Sequence, residues 1–305
     1  MEDWDKIDAV QRMQNYIEAH WDEDITMELL SAAAGYSRWH ALRVFKELTG
    51  KTPLEFARAV RLTKSAAKLR DTTEKVSDVA LDVGYDSHDG FTRAFSRQFA
   101  ITPQKYREET PPIPYFTYTP VGFYHDMIKR RSDYHMDTPK VSGTVTVTMV
   151  QRPARKLVLL RSTTATEYFS FCEEVGCDWH GMLDSIPEKL ETSALLTLPK
   201  ALVKPNTSAT AGGVEVPADY VKPIPDGYEI IDLPPCAMLV FQGMPFENEA
   251  DFGDAIGIVF EAIDHYKPEV YGYRFDENAA PRFNLGATAE TGARMMVPVK
   301  AIGKG

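Results

Sequence analysis

Two short stretches of the chain carry side chains that can bond to the edges of base pairs. The first contains Arg38, Trp39, His40 and Arg43, and the second, 50 residues further on, contains His88, Asp89, Thr92, Arg93 and Arg97. Arginine can donate two hydrogen bonds to guanine, an aromatic ring can contact the thymine methyl group, and a carboxylate can accept from cytosine. The residue types therefore predict two surfaces that read double-stranded DNA.

Three of these side chains also have an interpretation that involves no DNA. Trp39 could be a half-buried packing residue, and His88 could be an ordinary surface histidine. Asp89 is unusual on a surface that faces phosphates, so it could either accept a hydrogen bond from cytosine or orient Arg93. The sequence leaves these alternatives open.

Both stretches belong to a motif that occurs twice. The first copy has Gly35-Tyr36-Ser37, Leu42, Phe45, Gly50, Thr52-Pro53 and Phe56, and the second has Gly84-Tyr85, Ser87, Phe91, Phe95, Ala100, Thr102-Pro103 and Tyr106. Ser37 and Ser87, like Phe45 and Phe95, keep an offset of 50 residues. A repeat of this length is usually one supersecondary unit used twice.

The repeated unit is predicted to be a helix-turn-helix. An apolar helix, Thr26 to Ala34 in the first copy and Ser77 to Val83 in the second, precedes a glycine that can end it at positive φ. The serine that follows can cap a second helix, whose apolar residues, such as Leu42 and Phe45, should face the core. The second helix of this motif enters the major groove. The alternative is a pair of helical hairpins with no DNA role, and the two matched copies favour DNA binding.

A helix predicted from about Pro53 to Arg70 joins the two units. Proline suits the first turn of a helix, and a helix of this length spans about 27 Å. That length could set the two second helices near one turn of DNA apart, which is roughly 34 Å. The chain could then read two successive major-groove segments as a monomer.

The charge is unevenly distributed along the chain. The net charge is −10, yet residues 35 to 107 contain fourteen Lys and Arg against eight Asp and Glu. Residues 111 to 305 contain eighteen against twenty-five. A basic region in an acidic protein is typical of a domain that contacts phosphates. Four cations of the connecting helix could do so, although they could equally form a solvated helix face: Arg58, Arg61, Lys64 and Lys68.

Residues 5 to 107 resemble the AraC/XylS-type DNA-binding domain. The resemblance rests on the stretch 80 to 87, on Phe91-Thr92-Arg93-Ala94-Phe95, and on Phe99, Thr102-Pro103 and Tyr106-Arg107. It implies that Trp39 and Arg43 read bases, with promoter DNA and RNA polymerase as partners. Ala100 stands where the family usually has glycine, and if that position needs positive φ the alanine costs roughly 1 kcal/mol.

A second domain is predicted beyond a linker. The predicted boundaries are 1–110 for the helical domain, 111–143 for an acidic, proline-rich linker and connecting segment, and 144–305 for an α+β domain. Strands are expected at 144–150, 157–161, 194–204, 213–216, 228–232, 237–243, 270–276 and 294–301, with helices at 168–190 and 249–265. The fold is therefore multidomain: an all-α double helix-turn-helix domain, then two strand-strand-helix-strand-strand halves with a cleft at their junction.

This order of elements resembles the GyrI-like effector-binding domain, over about residues 144 to 302. The turns Arg152-Pro153-Ala154 and Leu233-Pro234-Pro235-Cys236 contribute to the likeness. It implies multidrug sensing: a pocket for a small, lipophilic, often cationic molecule, paired with a carboxylate before the closing proline. Arg294 occupies that place, four residues before Pro298. Either another residue supplies the acid or the pocket prefers a different charge.

Six residues are candidates for the pocket because they combine aromatic surface with one carboxylate. They are Phe171, Glu174, Trp179, Tyr273, Phe275 and Phe283. The alternative for the aromatic residues is ordinary core packing. Trp179 is the preferred candidate, since it lies among acidic residues and is expected at the edge of the cleft.

Several classes of protein are disfavoured. The three cysteines have no zinc-ligand spacing, and there is no phosphate-binding loop or hydrolase motif, so neither a metal nor a cofactor is expected. The acidic start and the lack of a long apolar run predict a cytoplasmic location without membrane association. We therefore expect a transcription regulator and no enzyme. The alternatives are a hydrolase using Glu174, a protein-contact module, or, much less favoured, a methyltransferase using Cys236, which has no basic neighbour in sequence.

Overall fold

The computed structural model describes residues 2–122, 143–247 and 251–303. The chain divides into two compact units, Met1–Asp133 and Tyr134–Gly305, called here the first and the second unit.

Seven helices lie wholly within the described part of the first unit. They are α1 Glu2–Ala19, α2 Met27–Ala34, α3 Arg38–Thr49, α4 Pro53–Asp71, α5 Val76–Asp82, α6 His88–Phe99 and α7 Pro103–Glu109. Helices α2 and α3 form the first predicted helix-turn-helix, and α5 and α6 form the second. The helix predicted to start at Ser77 begins one residue earlier, after Lys75, which makes no side-chain cap bond.

Each helix-turn-helix has its own apolar core, and α4 contributes to both. The Phe45 ring meets the Phe56 ring edge-on at 5.3 Å in the first core. The second core contains Leu62 from α4, together with Phe91 and Phe95 of α6. Because α4 presents Phe56 to one core and Leu62 to the other, this helix joins the two helix-turn-helix motifs within the first unit.

Residues 113–122, called the strap, pack against these helices. Ile113 is buried in the second core, whereas Val121 is buried in the first. The backbone N–H of Phe116 donates to Thr63 Oγ1 at 2.8 Å, and the Tyr118 hydroxyl donates to Glu18 at 3.2 Å. The segment was predicted as linker from Pro111 onward, but its aromatic and apolar side chains make this part integral to the helical fold. Residues 123–142 of the predicted linker lie outside the described residues.

The described part of the second unit has nine strands and three α-helices. The strands are β1 Val145–Arg152, β2 Arg155–Arg161, β3 Ala194–Thr197, β4 Thr210–Pro217, β5 Glu229–Leu233, β6 Cys236–Gly243, β7 Tyr273–Phe275, β8 Arg282–Thr288 and β9 Gly292–Ala301. The helices are α8 Tyr168–Val175, α9 Trp179–Asp184 and α10 Phe252–His265.

All nine strands belong to one antiparallel sheet. Its order is β1-β6-β9-β8-β3-β4-β2-β5, with β7 paired to β9. In chain order, β1 to β4 follow the pattern strand-strand-helix-strand-strand, and β5 to β9 repeat it with the short β7 as an additional strand. However, β1 pairs with β6 and β5 pairs with β2. Each half therefore gives its first strand to the part of the sheet formed by the other half.

Several predicted elements differ from those observed. Helix 168–190 is two helices, because Gly176 adopts φ +91° after α8. Strand 194–204 ends at Thr197 and continues into a 3₁₀ turn at Lys200–Leu202. Strand 270–276 is a 3₁₀ turn followed by the short β7, while β8 was not predicted. The predicted helix start at Glu249 lies outside the described residues.

The helices cover one face of the sheet. Phe171 and Trp179 pack with Val158 and Val214, and Val259 of α10 packs with Phe241. Residues that alternate with these project from the opposite face. That face carries its own buried cluster, which includes Leu157, Leu159, Leu196, Met238, Phe283 and Met296.

Candidate nucleic-acid interface

The first helix-turn-helix is built by two local signals. Gly35 ends α2 at φ +70°, a left-handed conformation that favours glycine. The Ser37 hydroxyl then accepts a hydrogen bond from the backbone N–H of His40 at 3.4 Å and starts α3.

The second helix-turn-helix repeats these signals, and its glycine has less space around it. Gly84 has φ +75°, and a Cβ there would lie 3.0 Å from the Asp22 carbonyl oxygen. Ser87 Oγ accepts from the Gly90 backbone N–H at 3.2 Å and starts α6. The helix ends at Ala100, whose φ of +56° shows that the position where glycine was expected is left-handed.

Helix α3 buries one side and exposes the other. Ala41, Val44 and Phe45 are buried. The exposed side carries Trp39, Leu42, Arg43 and Lys46, at spacings of three and four that place them on one helical face. Leu42 was expected in the core but is 39% exposed, because it follows the outward face and not the buried one. Sequence reasoning also missed Lys46, which its spacing from Arg43 could have indicated.

The exposed side chains of α3 contact one another. Trp39 is 71% exposed, and the Arg43 guanidinium lies 5.2 Å from the centroid of its ring. Arg43 also approaches His40 Nδ1 at 3.5 Å, while the His40 ring packs on Tyr36. Arg38, at the start of the helix, pairs with Glu28 at 2.6 Å. Trp39 is therefore available to a partner and is not a packing residue.

Helix α6 presents an equivalent surface. Phe91, Phe95 and Phe99 are buried. On the other side His88, Asp89, Arg93 and Arg97 are exposed, with Thr92 half-buried beside them. Asp89 Oδ1 lies 3.5 Å from His88 Nδ1. Within residues 2–122, no carboxylate lies within ion-pair distance of Arg93, so Asp89 does not orient Arg93.

Three of the four cations of α4 hold the fold together. Arg61 donates to the carbonyl oxygens of Trp21, at 2.8 Å, and of Glu23. Lys64 pairs with Glu18. Lys68 pairs with Asp82 at 2.5 Å and Glu74 at 3.0 Å, which raises the pKa of its ammonium group. Arg58 alone of the four is exposed without an ion-pair partner in the described ranges.

The six pocket candidates of the second unit are not brought together. The Phe171 and Trp179 rings meet edge-on at 5.4 Å in the core beneath α8 and α9. Tyr273 and Phe275 pack at the core beneath α10. Phe283 lies in the cluster on the opposite face. Trp179 is only 3% exposed and fits against Gly212, so it is a core residue and not the edge of a cleft.

Glu174 is engaged by a loop. Its carboxylate accepts hydrogen bonds from Ser162 Oγ at 2.7 Å, from the N–H and hydroxyl of Thr163 at 2.6 and 2.7 Å, and from those of Thr164 at 3.1 Å each. Burial raises the pKa of this carboxyl, but the hydrogen bonds outweigh burial and hold the pKa well below its usual range. The side chain therefore fastens the loop and has no free oxygen position suited to activating water.

Each unit contains a cavity among its described residues. One, of about 440 Å³, is in the second unit and is lined by Arg274, Phe275, Asp276, Glu277, Asn278, Arg282 and Lys300. The other, of about 300 Å³, is in the first unit beneath the strap and is lined by Glu18, Val60, Thr63, Lys64, Phe116, Thr117 and Tyr118. Of the six pocket candidates, Phe275 alone lines either of them.

Arg294 belongs to a chain of ion pairs on the face opposite the helices, called here the arginine–glutamate chain. Arg155 Nε donates to Glu215 Oε1, and Arg152 lies 2.9 Å from Glu215 Oε2. Arg152 also donates to Glu191 Oε1 at 3.2 Å, and Arg294 donates to Oε2 of the same carboxylate. The chain thus runs through Arg155, Glu215, Arg152, Glu191 and Arg294.

Cys236 has a basic neighbour that its sequence did not show. Arg155 donates to its Sγ at 3.5 Å. All three cysteines are free. The described residues contain no cluster of His, Cys, Asp or Glu that could hold a metal ion. None of the helices within those ranges is long and apolar enough to cross a membrane.

Two helix-turn-helix units with exposed arginines on their second helices define a DNA-binding protein. Residues 30–109 match the family model of a helix-turn-helix domain. The chain is 42% identical over 103 residues to the right origin-binding protein of Escherichia coli K12, covering 34% of this chain and 36% of that protein. It is 36% identical over 98 residues to the regulatory protein SoxS of Salmonella typhimurium, covering 32% of this chain and 92% of SoxS. The chain belongs to the AraC family of DNA-binding transcription regulators.

The similarity covers about a third of this chain and of the right origin-binding protein. The relatives also include the transcriptional regulator Rob of Salmonella typhimurium, which is 40% identical over 106 residues, covering 35% of this chain and 37% of that protein. Among solved structures, the DNA-binding domain of AdpA in complex with a target DNA is 29% identical, covering 33% of this chain and 91% of that chain with a TM-score of 0.32. A probable AraC family regulator from Rhodopseudomonas palustris is 32% identical, covering 33% and 94% with a TM-score of 0.32.

Proposed function

We propose that α3 and α6 read bases in the major groove. The observation that carries this proposal is the pair of outward faces, each on a helix set by the same glycine turn and serine cap. Trp39 and Arg43 are the readers on α3, with Arg38 and His40 beside them. On α6 the readers are Arg93 and Arg97, and His88, Asp89 and Thr92 flank them.

This proposal is tested by measuring the affinity of the full chain for its own upstream region and for random DNA, over a series of salt concentrations. Arg43→Ala should weaken binding to the specific site more than to random DNA. Arg58→Ala is the matched control, since Arg58 is an exposed arginine on α4 and should affect both DNAs alike through phosphate attraction. Equal losses for Arg43→Ala on the two DNAs would show that Arg43 contacts only phosphate.

We infer further that the second unit binds a small molecule and thereby controls the regulator in the cytoplasm, with RNA polymerase as the protein partner at the promoter. The order of its strands and helices supports this inference, since the two repeated halves resemble an effector-binding domain. The sheet face opposite the described helices also carries the arginine–glutamate chain, which is not needed for DNA binding by α3 and α6. A ligand can act only through different affinities for the DNA-competent and incompetent states.

A thermal-shift screen of drug-like acids and bases on the full chain tests the effector role. A ligand at 100 times its Kd should stabilise its unit by about 2.7 kcal/mol. The same ligand must change the affinity for promoter DNA. Ligands that bind without changing DNA affinity or transcription would contradict the role.

A protein-contact role for the second unit is the second candidate. Phe260, Val270 and Tyr271 are exposed by 48%, 75% and 67% near the end of α10. Exposed apolar side chains at one place are typical of protein interfaces. Substituting Tyr271 and Val270 by serine should lower promoter activity without changing DNA affinity if this surface contacts the transcription machinery. Unchanged promoter activity would remove this candidate.

A further inference from the structure

The arginine–glutamate chain has one positive charge in excess. Its three guanidinium groups face two carboxylates, and the side chains of Arg155 and Glu215 are 0% and 1% exposed. Arg152 is only 15% exposed. Charges withdrawn from water are costly unless they are paired. One more negative group would therefore balance the charge of the arginine–glutamate chain.

Two donors in this chain have no acceptor. The Nε atoms of Arg152 and Arg294 are buried and lack a hydrogen-bond partner within the described residues. Both guanidiniums bond to the two oxygens of one carboxylate, that of Glu191, so they are neighbours. A buried unsatisfied donor costs free energy, more so when it is charged, and calls for a bound water, ion or ligand group.

The open end of the chain is at Arg294. The side chain of Arg294 is 34% exposed and that of Glu191 is 26% exposed, so solvent reaches this pair. Apolar side chains lie on the same face: Met296 Sδ is 3.7 Å from Arg152, and Val150, Val240 and Leu285 are half-buried members of the cluster there, while Gln242 is the residue opposite Arg294 on the neighbouring strand. A ligand at this place would meet guanidinium donors at one end and aliphatic surface at the other.

We propose that the second unit binds a small carboxylate with an apolar body at the pair Arg152 and Arg294. The ligand's carboxylate accepts from the two unpartnered Nε–H groups and neutralises the excess charge. Guanidinium and carboxylate have matching planar geometry, which makes this the expected anion class. The proposal rests on the effector role proposed above, in that it names the ligand class. It contrasts with the cationic ligands that the resemblance implies.

Glu191 is the internal competitor of this ligand. Its carboxylate already occupies one N–H of each arginine, and it lies in the segment between α9 and β3. A ligand carboxylate binds the two arginines more tightly when Glu191 is neutral, because the repulsion between the two carboxylates is then absent. Substitutions at Arg294 and Glu191 must therefore change ligand affinity in opposite directions, which a purely structural role for the chain would not produce.

The test uses three probes of one shape on the full chain, by titration calorimetry at pH 7: 2-naphthoate, 2-naphthylmethanol and 2-naphthylmethylammonium. Naphthoate should bind at least about tenfold more tightly than the alcohol, since hydrogen bonds to charged groups are the strong ones. The ammonium probe should bind most weakly. Arg294→Gln should remove the preference for naphthoate, whereas Glu191→Gln should tighten naphthoate binding.

Arg282→Gln is the matched control, because Arg282 is a paired arginine of the same unit that lines the 440 Å³ cavity instead. It should leave naphthoate affinity unchanged. Failure of naphthoate to bind up to millimolar concentration, preference for the ammonium probe, or equal effects of Arg294→Gln and Arg282→Gln would overturn the proposal.

Promoter affinity with and without naphthoate separates this proposal from the effector role. Naphthoate binding that leaves DNA affinity unchanged would keep the carboxylate site and remove the effector role. An ammonium probe that binds better and changes DNA affinity would keep the effector role and overturn the carboxylate site.

Discussion

The Arg43 guanidinium lies over the exposed ring of Trp39, 5.2 Å from its centroid, on the outward face of α3. The tryptophan thus positions the arginine before DNA is present. Such cation–π contacts contribute about 0.5–1 kcal/mol at exposed sites. The two residues should therefore act as one reading surface and not as two independent contacts.

Coupling between Trp39 and Arg43 is the first prediction. Trp39→Ala and Arg43→Ala should each cost about 1–3 kcal/mol on the specific site. Because the two side chains touch, the double variant should lose less than the sum of the single losses. A double-mutant cycle of DNA affinity measures this difference, and strictly additive losses would contradict the coupling.

The left-handed helix ends of the two repeats give a second prediction. Gly50→Ala should destabilise the first unit by about 1 kcal/mol, since φ is +73° but nothing crowds a Cβ there. Gly84→Ala should cost more, because its Cβ would also press on the Asp22 carbonyl oxygen at 3.0 Å. Ala100→Gly should stabilise by a similar amount, since φ is +56° there and the exchange between the two residue types alters the entropy of the unfolded chain equally in both directions. Urea unfolding measures all three, and equal losses for the two glycines would contradict the steric part.

The strap provides a third prediction. Phe116 and Tyr118 both meet the Phe56 ring, at 5.0 and 4.6 Å between ring centroids. Phe116→Ala should therefore lower the free energy of unfolding of the first unit by about 1–3 kcal/mol, less than for a fully buried phenylalanine. Tyr118→Phe, which removes only the hydrogen bond to Glu18, should cost about 0.5–1.5 kcal/mol. Urea midpoints unchanged by Phe116→Ala would show that the strap is not part of the folded unit.

The Glu174 carboxylate gives a pH-dependent prediction. Its hydrogen bonds to the loop 162–164 hold its pKa below the ordinary glutamate value. The stability that it contributes is then complete above the unfolded pKa of about 4.3 and is lost as the pH falls toward the folded pKa. The melting temperatures of the wild type and Glu174→Gln should differ at pH 7, and this difference should begin to shrink below about pH 4 and keep shrinking as the pH falls toward the folded pKa.

Glu173→Gln is the matched control for this experiment, because Glu173 is an exposed neighbour on the same helix. It should leave the melting temperature nearly unchanged at both pH values. A difference between Glu174→Gln and the wild type that persists undiminished in acid would mean that the ionised carboxylate is not what fastens the loop.

The helical unit was largely predictable because its signals are local. Glycine at positive φ, a serine cap two or three residues later and apolar residues at helical spacing identify α2, α3 and α6 directly. Leu42 was misplaced because spacing alone does not say which of two apolar positions faces inward. The strap was not predictable, since Phe116 and Tyr118 pack on Phe56 through contacts between residues far apart in sequence.

The second unit was less predictable because its site depends on strand pairing. Strand β8 contains Asn284 and Gly286 and has an irregular register with β9, so its sequence pattern is weak. Arg152, Glu215 and Arg294 lie on three strands, and Glu191 lies in a connection between two elements. Nothing in their spacing along the chain indicates that they meet. The six candidates had suitable residue types, but the five aromatic ones belong to three different clusters and Glu174 bonds to a loop.

The exchange of β1 and β5 between the two repeated halves has a consequence for the integrity of the chain. A break in the connection 218–228 would leave each fragment with a first strand whose hydrogen-bonding partner is on the other fragment. Neither fragment could complete its own part of the sheet. Two separately produced pieces should therefore reassemble into one complex when mixed, as complementary fragments do.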